Sequence, residues 1–147
     1  MDKDTEKITA YLVDDEKKSL SNLENLINSY CKSIEVIGSS QLPIEAVSEI
    51  REKKPQLLFL DIQMPKISGL EFLKLIEDVS IEVVFVTAYD EYAIQAIKKG
   101  ALDYLLKPIS IEELQEVERK VISKLGYTGK MPVGLEDEEI LFSLSEG

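Results

Sequence analysis

The sequence predicts a doubly wound α/β domain built on a five-stranded parallel sheet. Three observations carry that reading. Short apolar runs alternate five times with segments of helical periodicity, the pattern of a parallel sheet covered by helices through right-handed crossovers. One run, Leu57–Leu60, is apolar at every position, as a strand buried on both faces requires. Polar residues that could do chemistry stand just after four of the five strand runs.

The elements follow in order. Ile8–Val13 is the first strand and runs into Asp14-Asp15-Glu16. A helix over 17–30 follows, with Leu20, Leu23, Leu26 and Ile27 at helical spacing. Ile34–Gly38 is a short second strand. Pro43 opens a helix over 43–53, a position where its missing N–H costs nothing, with Ile44, Val47 and Ile50 expected on the inner face. Pro55 ends that helix, and the third strand, Leu57–Leu60, delivers Asp61. Ser68 is placed to cap a helix over 69–78 that turns Leu70, Leu73 and Ile76 inward. Val83–Val86 is a fourth buried strand leading to Thr87, and Gly100 closes a helix over 91–99. Leu102–Leu106 is the fifth strand, ending at Lys107-Pro108. Ser110 and Glu113 have capping-box spacing ahead of a last helix over 111–125.

The two ends differ from this body. Residues 1–6 are polar and expected to fray. Residues 126–147 carry Gly126, Gly129, Pro132 and Gly134, an acidic run at Glu136–Glu139 and a strand-like Ile140–Leu144. They are either a linker with the start of a further domain or a tail that packs on the first. The expected organisation is a domain over 1–125 followed by that segment.

Composition narrows the chemistry. There is no histidine, which removes Ser-His catalysis, His-ligated zinc and a phosphohistidine on this chain. The single cysteine, Cys31, excludes an internal disulfide, fits a reducing cytoplasm, and is read as a small packed residue. A net charge of −11 argues against nucleic-acid binding by these residues and fits protein partners or a cation. No apolar run approaches a membrane span, and no signal-peptide pattern opens the chain.

In a doubly wound sheet the carboxyl ends of the strands share one edge, where ligands bind. The first end supplies Asp14 and Asp15, the third Asp61, the fourth Thr87, the fifth Lys107. Taken singly, each is common turn or cap chemistry. Taken together, three carboxylates in one pocket call for a cation, and a hard divalent ion such as Mg2+ takes oxygen ligands of this kind. Mn2+ also fits. Lys107 adds a fixed positive charge and Thr87 a hydroxyl donor. The set makes a site for a phosphoryl group, and a carboxylate can accept one.

These residues resemble the receiver domain of two-component response regulators over about 7–125. The resemblance rests on Val-Asp-Asp-Glu (13–16), Leu-Asp-Ile-Gln-Met-Pro (60–65), Ser-Gly-Leu (68–70), Val-Thr-Ala (86–88) and Tyr-Leu-Leu-Lys-Pro (104–108). It implies a flavodoxin-like (βα)5 fold with strand order 2-1-3-4-5. It implies that Asp61 is phosphorylated by a partner's phosphohistidine, on a histidine kinase or phosphotransfer protein. Mg2+ would be bound by Asp15, Asp61 and the Gln63 main-chain carbonyl, with Asp14 acting mainly through water. Lys107 and Thr87 would hold the phosphoryl oxygens, and the Lys107-Pro108 bond would be cis. Tyr104 stands at the family's switch position, alongside its plain reading as a half-buried strand tyrosine. Thr87 and Tyr104 would together remodel the 91–125 face, for dimerisation or output. The stretch 86–110 is further similar to receivers that precede a LytTR-type DNA-binding domain, so any DNA contact would belong to an effector outside this chain.

Three rival readings stand beside this one. An aspartyl-nucleophile phosphatase would need a second Asp two residues after Asp61, where the chain has Gln63. A flavin- or nucleotide-binding relative would need a Gly- or Ser/Thr-rich loop after the first strand, where the chain has Asp-Asp-Glu. A pseudo-receiver that binds without phosphorylation would not need the full set of site residues.

Overall fold

The computed structural model describes residues 7–126. The polar start expected to fray, and the linker or tail expected past Gly126, lie outside the described residues. Ten elements alternate: β1 (Ile8–Val13), α1 (Lys17–Tyr30), β2 (Ile34–Ser40), α2 (Pro43–Lys53), β3 (Leu57–Leu60), α3 (Gly69–Leu75), β4 (Glu82–Thr87), α4 (Ala93–Lys98), β5 (Asp103–Leu106) and α5 (Ile111–Leu125). The sheet is parallel throughout, in the order β2-β1-β3-β4-β5. This is the expected flavodoxin-like architecture.

The alternation of side chains along each strand builds two cores. One face of the sheet gathers Ile8, Ala10, Leu12, Leu57, Phe59, Val84, Val86 and Leu105 against α1 and α5, which contribute Leu20, Leu23, Ile27, Leu114, Val117 and Val121. The other gathers Tyr11, Val13, Leu58, Leu60, Val83 and Phe85 against Ala46, Ile50, Phe72, Ile76 and Ala96. All four β3 residues are buried, which is why that strand lacks a polar alternate. Cys31 is fully buried at the end of α1, as its packed reading expects.

Several boundaries and faces differ from the sequence reading. β2 continues to Ser40 because pairing with β1 carries on through Gly38, Ser39 and Ser40, which have no apolar signal of their own. β4 gains Glu82 and Thr87, and β5 begins at Asp103. In α2 the buried stripe is Ala46 and Ile50, four residues apart. Ile44 precedes Ala46 by two positions, about 200° around the helix, and is 75% exposed. In α3 the buried large side chain is Phe72, joined by Ile76 just past the helix as expected, while Leu70 and Leu73 are half-buried flanks. α3 stops at Leu75 and α4 is confined to 93–98, both shorter than the periodicity indicated.

The caps explain where the chain turns toward the site. Ser68 makes a full capping box with Glu71, fixing the start of α3 just after the β3 exit loop. Ser110 accepts the Glu113 N–H at 3.2 Å and donates to Glu112 Oε1, anchoring α5 behind Lys107-Pro108. That peptide bond is cis.

Candidate functional site

Parallel pairing in register brings the strand exits together. Val13 lies beside Leu60, and Thr87 beside Leu106, so Asp14, Asp61, Thr87 and Lys107 emerge at one sheet edge. The Asp61 N–H donates to the Val13 carbonyl at 3.0 Å, and the Lys107 N–H to the Thr87 carbonyl at 2.8 Å. The sheet ladder itself thus extends into the site and fixes these residues.

Three carboxylates converge there. One oxygen from each of Asp14, Asp15 and Asp61 falls within 4.8 Å of the others. Asp14 and Asp61 are each 6% exposed, and Asp15 is half-buried. Lys107 reaches across from the fifth strand end. Its Nζ lies 2.9 Å from Asp14 Oδ2, 3.4 Å from Asp61 Oδ2 and 3.1 Å from Ser19 Oγ. Asp14 Oδ1 accepts the Glu16 N–H at 2.9 Å, and Ser19 donates to Glu16 Oε1 at 3.0 Å. The Gln63 N–H donates to Asp61 Oδ1 at 3.3 Å.

The electrostatics follow from this crowding. Burial, then the neighbouring Asp14 charge, push the Asp61 carboxyl above its ordinary value. Lys107, a Thr87 side-chain hydrogen bond and the Gln63 N–H work against that rise without cancelling it. Burial pulls Lys107 down, but its bond to Asp14 and the charges of Asp61 and Asp14 outweigh it and hold the ammonium above its ordinary value. One lysine therefore faces more negative charge than it can balance. Hard oxygen donors with uncompensated charge suit a divalent cation such as Mg2+, so the donor set fits one.

Asp14, Asp15, Asp61, Thr87 and Lys107, the strand-end set read from the sequence, thus come together. Gln63 lies beside them through its N–H, while its side chain turns to the Tyr92 hydroxyl, 3.0 Å away. Tyr104 is half-buried on β5. Its ring tilts against Phe85 at 6.2 Å, and its hydroxyl donates to the Tyr89 carbonyl. Burial raises its phenol, with a backbone hydrogen bond at Tyr92 opposing.

The sequence reading passed over Ser19, Glu16 as a partner of Asp14 and Ser19, and Tyr92. Ser19 sits three residues after Glu16, in the first turn of α1, a spacing that returns its hydroxyl to the strand exit. That spacing was a usable signal. Tyr92 had none, since its partner lies 29 residues away.

A family model for the response regulator receiver domain matches residues 10–119. The chain belongs to that family. An uncharacterized response regulatory protein of Vibrio cholerae is 44% identical over 116 residues, covering 78% of this chain and 48% of that protein. The transcriptional regulatory protein BtsR of Escherichia coli is 40% identical over 110 residues, covering 74% of this chain and 46% of BtsR. The receiver chain thus spans about half the length of the curated relatives it matches. Among solved structures, the receiver domain of the response regulator AraT from Geobacillus stearothermophilus superposes with a TM-score of 0.71 at 30% identity, covering 82% of this chain and 96% of that one. The response regulatory domain of mrkE from Klebsiella pneumoniae gives 0.71 at 27% identity, covering 79% and 96%. Among the described residues, no helix is long and apolar enough to cross a membrane.

Proposed function

We propose that residues 1–125 form the phosphoacceptor unit of a two-component response regulator, with Asp61 as the acceptor. The observation that carries this reading is the buried Asp61 carboxylate, held within 3.4 Å of Lys107 and within metal-sharing distance of Asp14 and Asp15. An Asp61 oxygen attacks the phosphorus of a phosphohistidine on a histidine kinase or phosphotransfer protein. The O–P bond forms, the N–P bond breaks, and the imidazole nitrogen leaves with the electron pair. Lys107 and the Thr87 hydroxyl hold the phosphoryl oxygens as charge moves onto them. Asp14, Asp15, Asp61 and the Gln63 main-chain carbonyl would hold Mg2+, or Mn2+ in its place. When bound, that ion supplies the positive charge which the carboxylates and an incoming phosphoryl group lack. The chemistry is confined to loading and unloading Asp61, so the chain acts as a switch rather than as an enzyme on an outside substrate.

The same reading assigns Thr87 and Tyr104 to the switch. Thr87 follows the phosphoryl group, and Tyr104 answers through the loop it already touches at Tyr89. Phosphorylation moves that equilibrium only by its differential affinity for the two arrangements. The 91–125 face carries exposed Ile94, Ile97 and Leu106, which supports its use in homodimerisation on phosphorylation. A cytoplasmic transcription regulator is the matching setting, with DNA contacted through a LytTR-type effector beyond this domain. BtsR, a transcriptional regulatory protein more than twice as long as the matched region, supports a further domain.

The test is intact mass spectrometry after incubation with Mg2+ and acetyl phosphate. One added phosphoryl group, lost in Asp61→Ala and on chelation, is expected. No adduct at any time, including times short enough to catch rapid hydrolysis, would favour a pseudo-receiver that binds without phosphorylation.

A further inference from the structure

We propose that Tyr92 is a positioning residue whose hydroxyl holds the Gln63 side chain across the gap between the loops after β3 and β4, restricting water at Asp61. The inference rests on Asp61 being the phosphoacceptor.

Strands β3 and β4 pair directly, so their exit loops lie side by side at the Asp61 end of the sheet. Gln63 belongs to the first loop. Its N–H donates to Asp61 Oδ1 at 3.3 Å, which places its backbone beside the carboxylate. Its side chain crosses to the second loop, where Nε2 donates to the Tyr92 hydroxyl at 3.0 Å. An exposed glutamine otherwise samples many rotamers. Tyr92 is a fixed post by contrast, half-buried against the apolar cluster that contains Phe85 and Ala96. The loop from Thr87 to Tyr92 is held by Tyr104, at the Tyr89 carbonyl and the Tyr92 backbone, and by Gln63 at the Tyr92 hydroxyl. The Gln63–Tyr92 side-chain bond lies between these two loops on the Asp61 side, where it restricts water hydrolysing an aspartyl phosphate. In that hydrolysis a water oxygen attacks phosphorus, the Asp61 O–P bond breaks, and inorganic phosphate leaves. Release of the Gln63–Tyr92 tie frees the glutamine and admits water from this side.

The test follows loss of the phosphoryl group by intact mass. The whole chain is loaded with acetyl phosphate and Mg2+, the donor is removed, and wild type is compared with Tyr92→Phe, Gln63→Leu and the double variant. Tyr92→Phe keeps the ring and its packing, and thermal unfolding checks that the fold is unchanged. Both single variants should shorten the half-life by a similar factor, about two- to tenfold, the range one neutral hydrogen bond can carry. The double variant should be no shorter-lived than either single, since both remove the same bond. A wild-type half-life in Tyr92→Phe overturns the inference, even if Gln63→Leu is affected. So does a double variant whose effect is the product of the singles. Failure of wild type to take up a phosphoryl group at all would remove the acceptor reading itself, and this inference with it.

Discussion

Gly69→Ala tests how tightly the fold holds Asp61, the proposed acceptor. Gly69 opens α3, and its N–H donates to the Ile62 carbonyl at 2.8 Å. It is not required for its backbone conformation, since its φ lies outside the left-handed region. It is required by space. A Cβ there would stand 2.3 Å from the Asp61 carbonyl oxygen and 3.0 Å from the Ile62 Cα. The first contact is about 1 Å short of ordinary van der Waals separation, and both neighbours are backbone, so no side chain can swing aside. The loop carrying Asp61 must shift by a comparable distance. Overpacking of this kind costs about 1–3 kcal/mol, which for a domain of this size lowers Tm by roughly 4–12 °C. A displacement near 1 Å at a reacting group costs about 100-fold in rate. The expected result is acetyl phosphate loading at Asp61 slowed about 100-fold with saturating Mg2+, measured at a temperature where the variant is folded. Gly100→Ala is the control. Gly100 sits at φ +89° with nothing within 4 Å of a Cβ, so alanine there costs about 1–2 kcal/mol of backbone strain and touches nothing near the site. Loading at the wild-type rate in Gly69→Ala would refute the reasoning. So would equal slowing in Gly100→Ala, which would assign the effect to lost stability.

Other perturbations read different parts of the structure. Phe72→Ala removes a fully buried ring from the α3 side of the sheet and should cost about 3–5 kcal/mol in urea unfolding. Ser19→Ala deletes an acceptor of Lys107 and should slow loading by about two- to tenfold without loss of Tm, read by the same mass assay. Burial pushes the Cys31 thiol up to about 12, so thiolate is suppressed in the folded chain; a disulfide reagent at pH 8 should react only as fast as urea unfolds the protein. The Asp61 carboxyl is raised by burial and by Asp14, so its contribution to stability is fully present below the unfolded carboxyl value, near 4, and is lost as pH rises through the folded value. With metal chelated, Asp61→Asn should therefore unfold at a higher temperature than wild type at pH 7, and the gap should close as pH falls below about 4.

What the sequence made legible follows from the range over which each physical signal acts. Leu57–Leu60 declared β3 because burial on both faces leaves no polar position in four residues. The strand-end residues were legible as neighbours because a parallel sheet sends every strand exit to one edge, so adjacency in space followed from order in the chain. Where the signal was not local, the reading failed. Ser39 and Ser40 extend β2 only because β1 lies alongside, and nothing within those residues says so. Phe72 lost to Leu70 and Leu73 because α3 is seven residues long, too short for periodicity to choose the inner face. The case of Gly69 is sharper. In the sequence Gly69 is only the first residue after the Ser68 cap, yet the structure gives it a reason, since a Cβ there would stand 2.3 Å from the Asp61 carbonyl oxygen. The Gln63–Tyr92 bond is of the same kind, joining residues whose types are unremarkable and whose meeting depends on the tertiary placement of α4. Residues that bring charge to the strand exits can thus be named from a strand pattern. Those that hold Asp61 in place are specified by contacts between loops, and loop contacts leave no period in the chain.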